Sequence, residues 1–262
     1  MALLKPREPI TRATSAGVAI ATVAVAIVVW SWLSYGGVVN HLFLPSPTEV
    51  LSAFYELAES GELWMHAKAS VQIILMGWAL ALIIAVPVGI LVGSFGLFDA
   101  LFSPFASFIR YLPVSALIPL IILYVGIDDA SRVTVIFIGT FFQMVLMVAD
   151  AAANSQKDLI DSAYTLGAKR VAVVTKVILP SSLPGIMDAL RINMGAAWTY
   201  LVVAEIIAAD KGLGYMILNS MRGLFVAKIF VGLLVIGLLG FMADRLFEYL
   251  HRTLLPWSTK AA

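Results

Sequence analysis

Apolar residues run along this chain in long uninterrupted stretches, and the charges between them act as rulers. Gly17 to Tyr35 and Ala69 to Phe98 contain no Asp, Glu, Lys or Arg. A helix needs about 20 largely apolar residues to cross a hydrocarbon core. The pattern predicts six spans: Gly17 to Tyr35, about 68–93, 103–125, 132–152, 182–208 and 229–250. The third holds Pro104, Pro113 and Pro119, which a membrane bundle tolerates where neighbours satisfy the freed carbonyls. Asp244, Arg245 and Glu248 fall in the last turns of the sixth.

Two polar segments interrupt this pattern. Between spans one and two, Leu44-Pro-Ser-Pro-Thr48 supplies a turn and an N-cap, and Glu49 to Leu57 is amphipathic. The segment reads as a short helix lying over the bundle at the membrane interface or docking an external partner. Between spans four and five, residues 154–180 read as two short helices with a break. Ser155 and Asp158 predict a capping box, and Gly167 a left-handed helix end. Pro180 is expected to stop the second helix, with Ser182 capping span five and Pro184 in its first turn.

Composition makes the reading firmer: 61% of the residues are hydrophobic, 13% are charged and the mean hydropathy is +0.97. Soluble domains carry about 25% charged residues, so this chain belongs in a bilayer. The net charge of +1 offers no basic stripe for nucleic acid. The absence of cysteine excludes disulfides, thiolate metal sites and cysteine nucleophiles, and His41, His66 and His251 are too scattered for a metal site. Lys5, Arg7 and Arg12 precede the first span, which is too long for a signal peptide and lacks a small-residue cleavage pattern, so it is expected to be retained. With the N-terminus inside, inner segments hold Lys5, Arg7, Arg12, Lys157, Lys169, Arg170, Lys176, Arg252 and Lys260, against Lys68, Arg132, Lys211, Arg222 and Lys228 outside. That bias predicts both termini in the cytoplasm.

In the 154–180 segment, Asp161-Ser162-Ala163, Gly167 six residues after Asp161, and Val177-Ile-Leu179-Pro180 resemble the EAA signature of ABC importer permeases. Asp161 stands where that family usually has Glu, and Ser162 where it has Ala. The resemblance implies a coupling helix seated in a groove of an ATP-binding subunit, with Asp161, Ser162, Ala163, Gly167, Ala168, Leu179 and Pro180 as the coupling residues. Roughly residues 40–250 resemble nitrate/sulfonate/taurine-type permeases through Leu44-Pro-Ser-Pro-Thr-Glu-Val50, Gly126-Ile-Asp-Asp-Ala-Ser131, Ala204-Glu205 and Gly212-Leu-Gly-Tyr215. Pro113-Val-Ser-Ala116 stands where that group often has a Pro-Pro pair and a Trp. The fold expected is an all-α membrane protein of about six transmembrane helices. Its architecture would be that of a type I ABC importer permease (MetI-like) with a cytoplasmic EAA coupling loop.

That resemblance divides the chain into an N-terminal tail with the first helix (1–35), an outer segment (36–67), a core (68–253) and a cytoplasmic tail (254–262). It implies import of a small anion or zwitterion such as nitrate, bicarbonate, a sulfonate or taurine into the cytoplasm across the bacterial inner membrane. Thiamine-precursor permeases belong to the same broad group. The sequence contains no G-x-x-x-x-G-K-[ST] loop, so ATP and Mg are expected in a separate ATPase subunit and no cofactor in this chain. The other partners implied are a second copy of the permease, a periplasmic or lipid-anchored solute-binding protein and the lipid bilayer.

Polar residues inside spans are costly and are functional candidates by default. Here they are Arg110, Gln143, Asn193, Trp198, Thr199 and Glu205. Arg110 either snorkels to the interface or attracts an anion, and Gln143 bonds either solute or a neighbouring helix. Glu205 is expected to pair with Arg222 or Lys211, or to serve as a gate contact. A gradient-driven transporter or channel would show matched broken helices in both halves. A membrane enzyme would need clustered carboxylates, histidines or a nucleophile in the spans, and the sequence supports neither.

Overall fold

The computed structural model describes residues 11–258, all of whose long elements are helices. Lys5, Arg7 and Lys260, used above to orient the chain, lie outside the described residues. α1 (Arg12–Tyr35) begins at Thr11, whose hydroxyl accepts from the Thr14 N–H. No residue from Ala13 to Leu33 is buried. α1 meets the rest of the chain at its far end. There Trp30 stacks on Phe230 at 5.8 Å and donates to the Pro45 carbonyl (2.9 Å), and Ser34 donates to the Leu44 carbonyl.

α2 (Pro47–Glu59) is the amphipathic segment expected above. Its cap is reciprocal: the Ser46 hydroxyl accepts from the Glu49 N–H, and the Glu49 carboxylate accepts from the Ser46 N–H at 2.6 Å. The Ser46 backbone N–H and hydroxyl hold the Glu49 carboxyl below its ordinary pKa. Val50, Ala53 and Leu57 form the buried stripe, three and four residues apart, and pack on Leu63, Leu213, Met216 and Val231.

α3 (Glu62–Ser94) carries Pro87 inside it and lies along α6 (Asp129–Ala153) over most of its length. Glycines make that approach possible. A Cβ on Gly77 would lie 2.7 Å from Ile136 Cβ, one on Gly89 2.8 Å from the Val145 carbonyl oxygen, and one on Gly93 2.2 Å from that of Ala149. Lipid gives helices no hydrophobic reason to pair, so such small-residue contacts carry the association. α6 then packs on α9 (Leu179–Ala208), where Gly139 leaves room for the Tyr200 ring. The core is this three-helix slab, with Ile74, Ile136, Val145, Val148, Ala197 and Leu201 fully enclosed.

The expected third span is not one helix. α4 (Gly96–Arg110) and α5 (Val114–Val125) meet at a 98° bend, and each alone is too short to cross a bilayer. Pro113 causes it. The residue before a proline is pushed out of the helical region, and the ring removes the N–H that would continue the ladder. Pro104 and Pro119, by contrast, stay inside their helices. The other five expected spans each correspond to one long apolar helix, the fifth being a 38-residue run from Arg170 to Ile207 and the sixth α11 (Val226–Leu254).

That 38-residue run corrects a second expectation. α7 (Lys157–Thr165) is followed by α8 (Arg170–Val173), a π turn over Val174–Ile178 and α9 without interruption, so Pro180 does not stop the helix. The wide turn absorbs the proline: its ring and missing N–H disturb the carbonyl four residues back, that of Lys176, inside the π segment. Ser182 caps nothing; its hydroxyl donates to the Leu179 carbonyl one turn back. Pro184 lies inside α9 rather than in the first turn of a new helix. The Ser155–Asp158 capping box is also absent. α7 starts one residue later than that box requires, its N-cap is Gln156 with no side-chain cap bond, and Ser155 is engaged by the Ser181 hydroxyl at 2.9 Å.

Candidate functional site

α7 projects beyond the slab at the end where α6 finishes and α9 begins. Its inner face, Ile160 and Ala163, packs with Ala168 and Val174 against Ala152, Val173 and Ile178. Ala163 therefore packs within the chain. The helix ends in a double-bonded C-cap: the Gly167 N–H donates to the Tyr164 carbonyl (2.9 Å) and the Ala168 N–H to the Ala163 carbonyl (3.0 Å). Gly167 has φ +81°, the conformation this motif needs. The outer face is left free. Asp158, Asp161, Ser162, Thr165 and Leu166 frame a shallow depression of about 500 Å³, and Leu166 is 88% exposed at the tip. Leu179 and Pro180, the other expected coupling residues, lie just beyond the π turn in the first turn of α9.

The expected pathway residues divide. Gln143 and Asn193 meet at the seam between α6 and α9, sharing the Met147 sulfur at 4.0 and 3.3 Å. Asn193 is fully buried and also donates to the Ala189 carbonyl (3.0 Å), while its Oδ1 and the buried Trp198 Nε1 have no partner. Thr199 is exposed on another face of α9. Arg110 ends α4 at the 98° bend and is exposed, with its guanidinium 5.1 Å from the centre of the Tyr111 ring.

Glu205 sits at the other end of the slab, completely buried, and it pairs with neither Arg222 nor Lys211. Its carboxylate accepts from the Ser70 hydroxyl (2.6 Å) and the Gly214 N–H (2.8 Å). Ser70 Oγ in turn accepts from the Leu213 N–H (2.8 Å), and His66 Nδ1 from the Gly212 N–H (3.1 Å). These N–H groups belong to the start of α10 (Leu213–Arg222), so α3 and α9 together cap a third helix. A Cβ on Gly212 would fall 2.3 Å from the Glu205 carboxylate, which explains the glycine beside it. Nearby, the buried Arg132 donates to the Lys211 carbonyl (3.1 Å) and pairs with Asp129.

Sequence reasoning missed Ser70, His66 and Arg132, and it missed the bidentate pair of Arg191 on α9 with Asp244 on α11 at 2.5 and 2.6 Å. The signal for Arg132 was Asp129, one turn earlier. For Arg191 and Asp244 it was that two opposite charges inside predicted spans are cheapest when paired.

Residues 85–255 match the family described as binding-protein-dependent transport system inner membrane component. The chain belongs to this family. A probable ABC transporter permease of Brucella abortus is 36% identical over 250 residues, covering 95% of this chain and 99% of that one. The taurine transport system permease of Escherichia coli is 32% identical over 259 residues, 97% of this chain and 94% of that one. The nitrate import permease of Synechocystis is 27% identical over 249 residues, 91% and 89% of the two chains. A solved structure of the MetNI methionine ABC transporter shares the fold, with TM-score 0.63 at 19% identity over 73% of this chain and 96% of that one. This permease is thus a transmembrane, non-catalytic subunit of an ABC importer, with ATP hydrolysis in a separate subunit. The gradient-driven and enzymatic alternatives are set aside by the same findings.

Proposed function

We propose that this permease moves a small anion or zwitterion of the taurine, alkanesulfonate or nitrate kind into the cytoplasm, driven through α7 by separate ATPase subunits that use ATP and Mg. The observation that carries the reading of α7 is its construction: apolar on the inside, locked by a double-bonded glycine cap, and free on the face that holds Asp161, Ser162 and Leu166. The solute class rests on the taurine and nitrate permeases, which align with about nine-tenths of the chain or more. Two copies facing each other across a two-fold axis would enclose the path, and a solute-binding protein would deliver to the end that holds Glu205 and Arg132. α7 then lies in the cytoplasm, as do both termini.

The test is reconstitution of the permease with its ATPase and binding protein in liposomes. The panel would be taurine, a short alkanesulfonate, nitrate, bicarbonate and a thiamine-precursor pyrimidine. At least one of the first four should stimulate ATP hydrolysis and accumulate inside. Stimulation by the pyrimidine alone, or by none of the five, would end the small-anion assignment.

A further inference from the structure

The connection between α7 and the long span is not a regular helix. Over Val174–Ile178 the ladder changes to the wider π pattern, and the Leu179 N–H donates to the Val174 carbonyl five residues back. π turns inside long helices are rare and tend to mark functional sites. Here the cause lies in the sequence. Val173, Val174, Thr175, Val177 and Ile178 are β-branched and crowd the preceding turn, and Pro180 disturbs the Lys176 carbonyl from the other side. Thr175 also bonds back to the Val171 carbonyl at 2.9 Å, a contact that bends helices.

The packing on this turn matters as much as its shape. Ile160 and Ala163 of α7 sit against Val173, Val174 and Ile178, which straddle it. Any displacement of α7 is therefore delivered to a turn of the 38-residue helix whose bonding is irregular. Just past the turn, the Ser181 hydroxyl ties the start of α9 to Ser155 after the end of α6. The lever thus touches the weak turn, and the slab is fastened immediately beyond it.

We propose that the π turn at 174–178 is a hinge that lets α7 swing, and α9 turn with it, without breaking the span. This rests on the reading of α7 as the ATPase-facing lever. A π turn holds one residue more than an α turn. Closing it to the α pattern rotates the α8 side by about 100° relative to the α9 side, whereas moving it along the helix rotates only the residues it passes. A bistable turn of this kind converts a small push into a discrete step.

The experiment is hydrogen–deuterium exchange on the assembled complex in lipid, nucleotide-free and trapped with ATP and orthovanadate. Amides of 175–179 should change their exchange rate at least tenfold on trapping, while those of mid-α9 (186–197) stay within twofold. No change at 175–179, with α7 protected by the ATPase subunits, overturns the hinge and leaves the lever intact. No protection of α7 in either state overturns the lever reading beneath it. Deleting Thr175, an exposed residue of the wide turn, restores α spacing. In that variant α7 should remain protected by the ATPase while any trapping-induced change at the 209–214 loop falls to less than a third of the parent's. A parent-sized response there would likewise refute the hinge.

Discussion

Replacing Glu205 by alanine removes the group that joins three helices. The carboxylate accepts from the Ser70 hydroxyl and the Gly214 N–H, both buried, and loss of an acceptor leaves each donor without a partner. An orphaned buried donor costs about 1–3 kcal/mol, so the pair alone amounts to roughly 2–6 kcal/mol. The truncated side chain is also fully enclosed and leaves a cavity, which adds to the loss. Because Ser70 relays the contact to the Leu213 N–H, the start of α10 loosens as well. Removing a buried carboxylate also recovers its desolvation cost, so we expect Glu205→Ala to destabilise the permease by about 3–5 kcal/mol in total. At about 2–4 °C per kcal/mol for a chain of this size, that is a fall of roughly 6–20 °C in Tm. Glu205→Gln keeps an acceptor for the Gly214 N–H and the packing volume, and should lose less than half as much. The assay is thermal unfolding of the purified permease in detergent, followed by loss of the monodisperse peak. A Glu205→Ala variant within about 2 °C of the parent, or a Gln variant as unstable as the Ala variant, would refute the capping argument.

Gly167→Val should abolish uptake while membrane insertion and yield persist. The site is open, with nothing within 4 Å of a Cβ, so the effect is the cost of φ +81° for a branched residue. Gly167→Asn, which tolerates that region, should retain most activity. Asp244→Asn should lower stability by about 1–3 kcal/mol by leaving Arg191 without its bidentate partner, and exchanging the two residues should recover part of it in the same unfolding assay. The Glu49 cap has a pH signature. Its folded pKa is depressed, so its contribution is complete above the ordinary carboxylate pKa and is lost as pH falls through the folded value. With His41, whose Nδ1 lies 3.7 Å from the Glu49 carboxylate, replaced by alanine in both proteins, the stability difference between Glu49 and Glu49→Ala should be flat from about pH 8 to pH 5 and shrink below about pH 4.

Features specified by neighbours in sequence were legible. The N-cap within Leu44–Thr48 and the Gly167 cap each depend on groups within a few residues, and five of the six spans follow from apolar length alone. The short helix over Lys157–Thr165 was readable for the same reason, whereas the inward packing of Ala163 depends on where Val173 and Ile178 come to lie. Proline was the ambiguous signal. Pro104, Pro113, Pro119 and Pro180 look alike in sequence, yet only Pro113 ends a helix. The outcome turns on whether the preceding turn can widen or its carbonyl find a substitute partner, which tertiary packing decides. The partners of Glu205 could not have been chosen in advance. Ser70 is 135 residues away, and a buried carboxylate beside several candidate cations gives no local reason to prefer a hydroxyl and a backbone N–H.

The loose attachment of α1 bears on how such a chain can change over evolutionary time. A helix with no buried residue from Ala13 to Leu33, and with Trp30 as its main contact there, leaves the three-helix slab's internal packing untouched if it changes. Only the patch around Trp30, Ser34 and Phe230 would need repair. The slab can therefore keep its packing while α1 varies along most of its length, provided the contacts at its far end are kept.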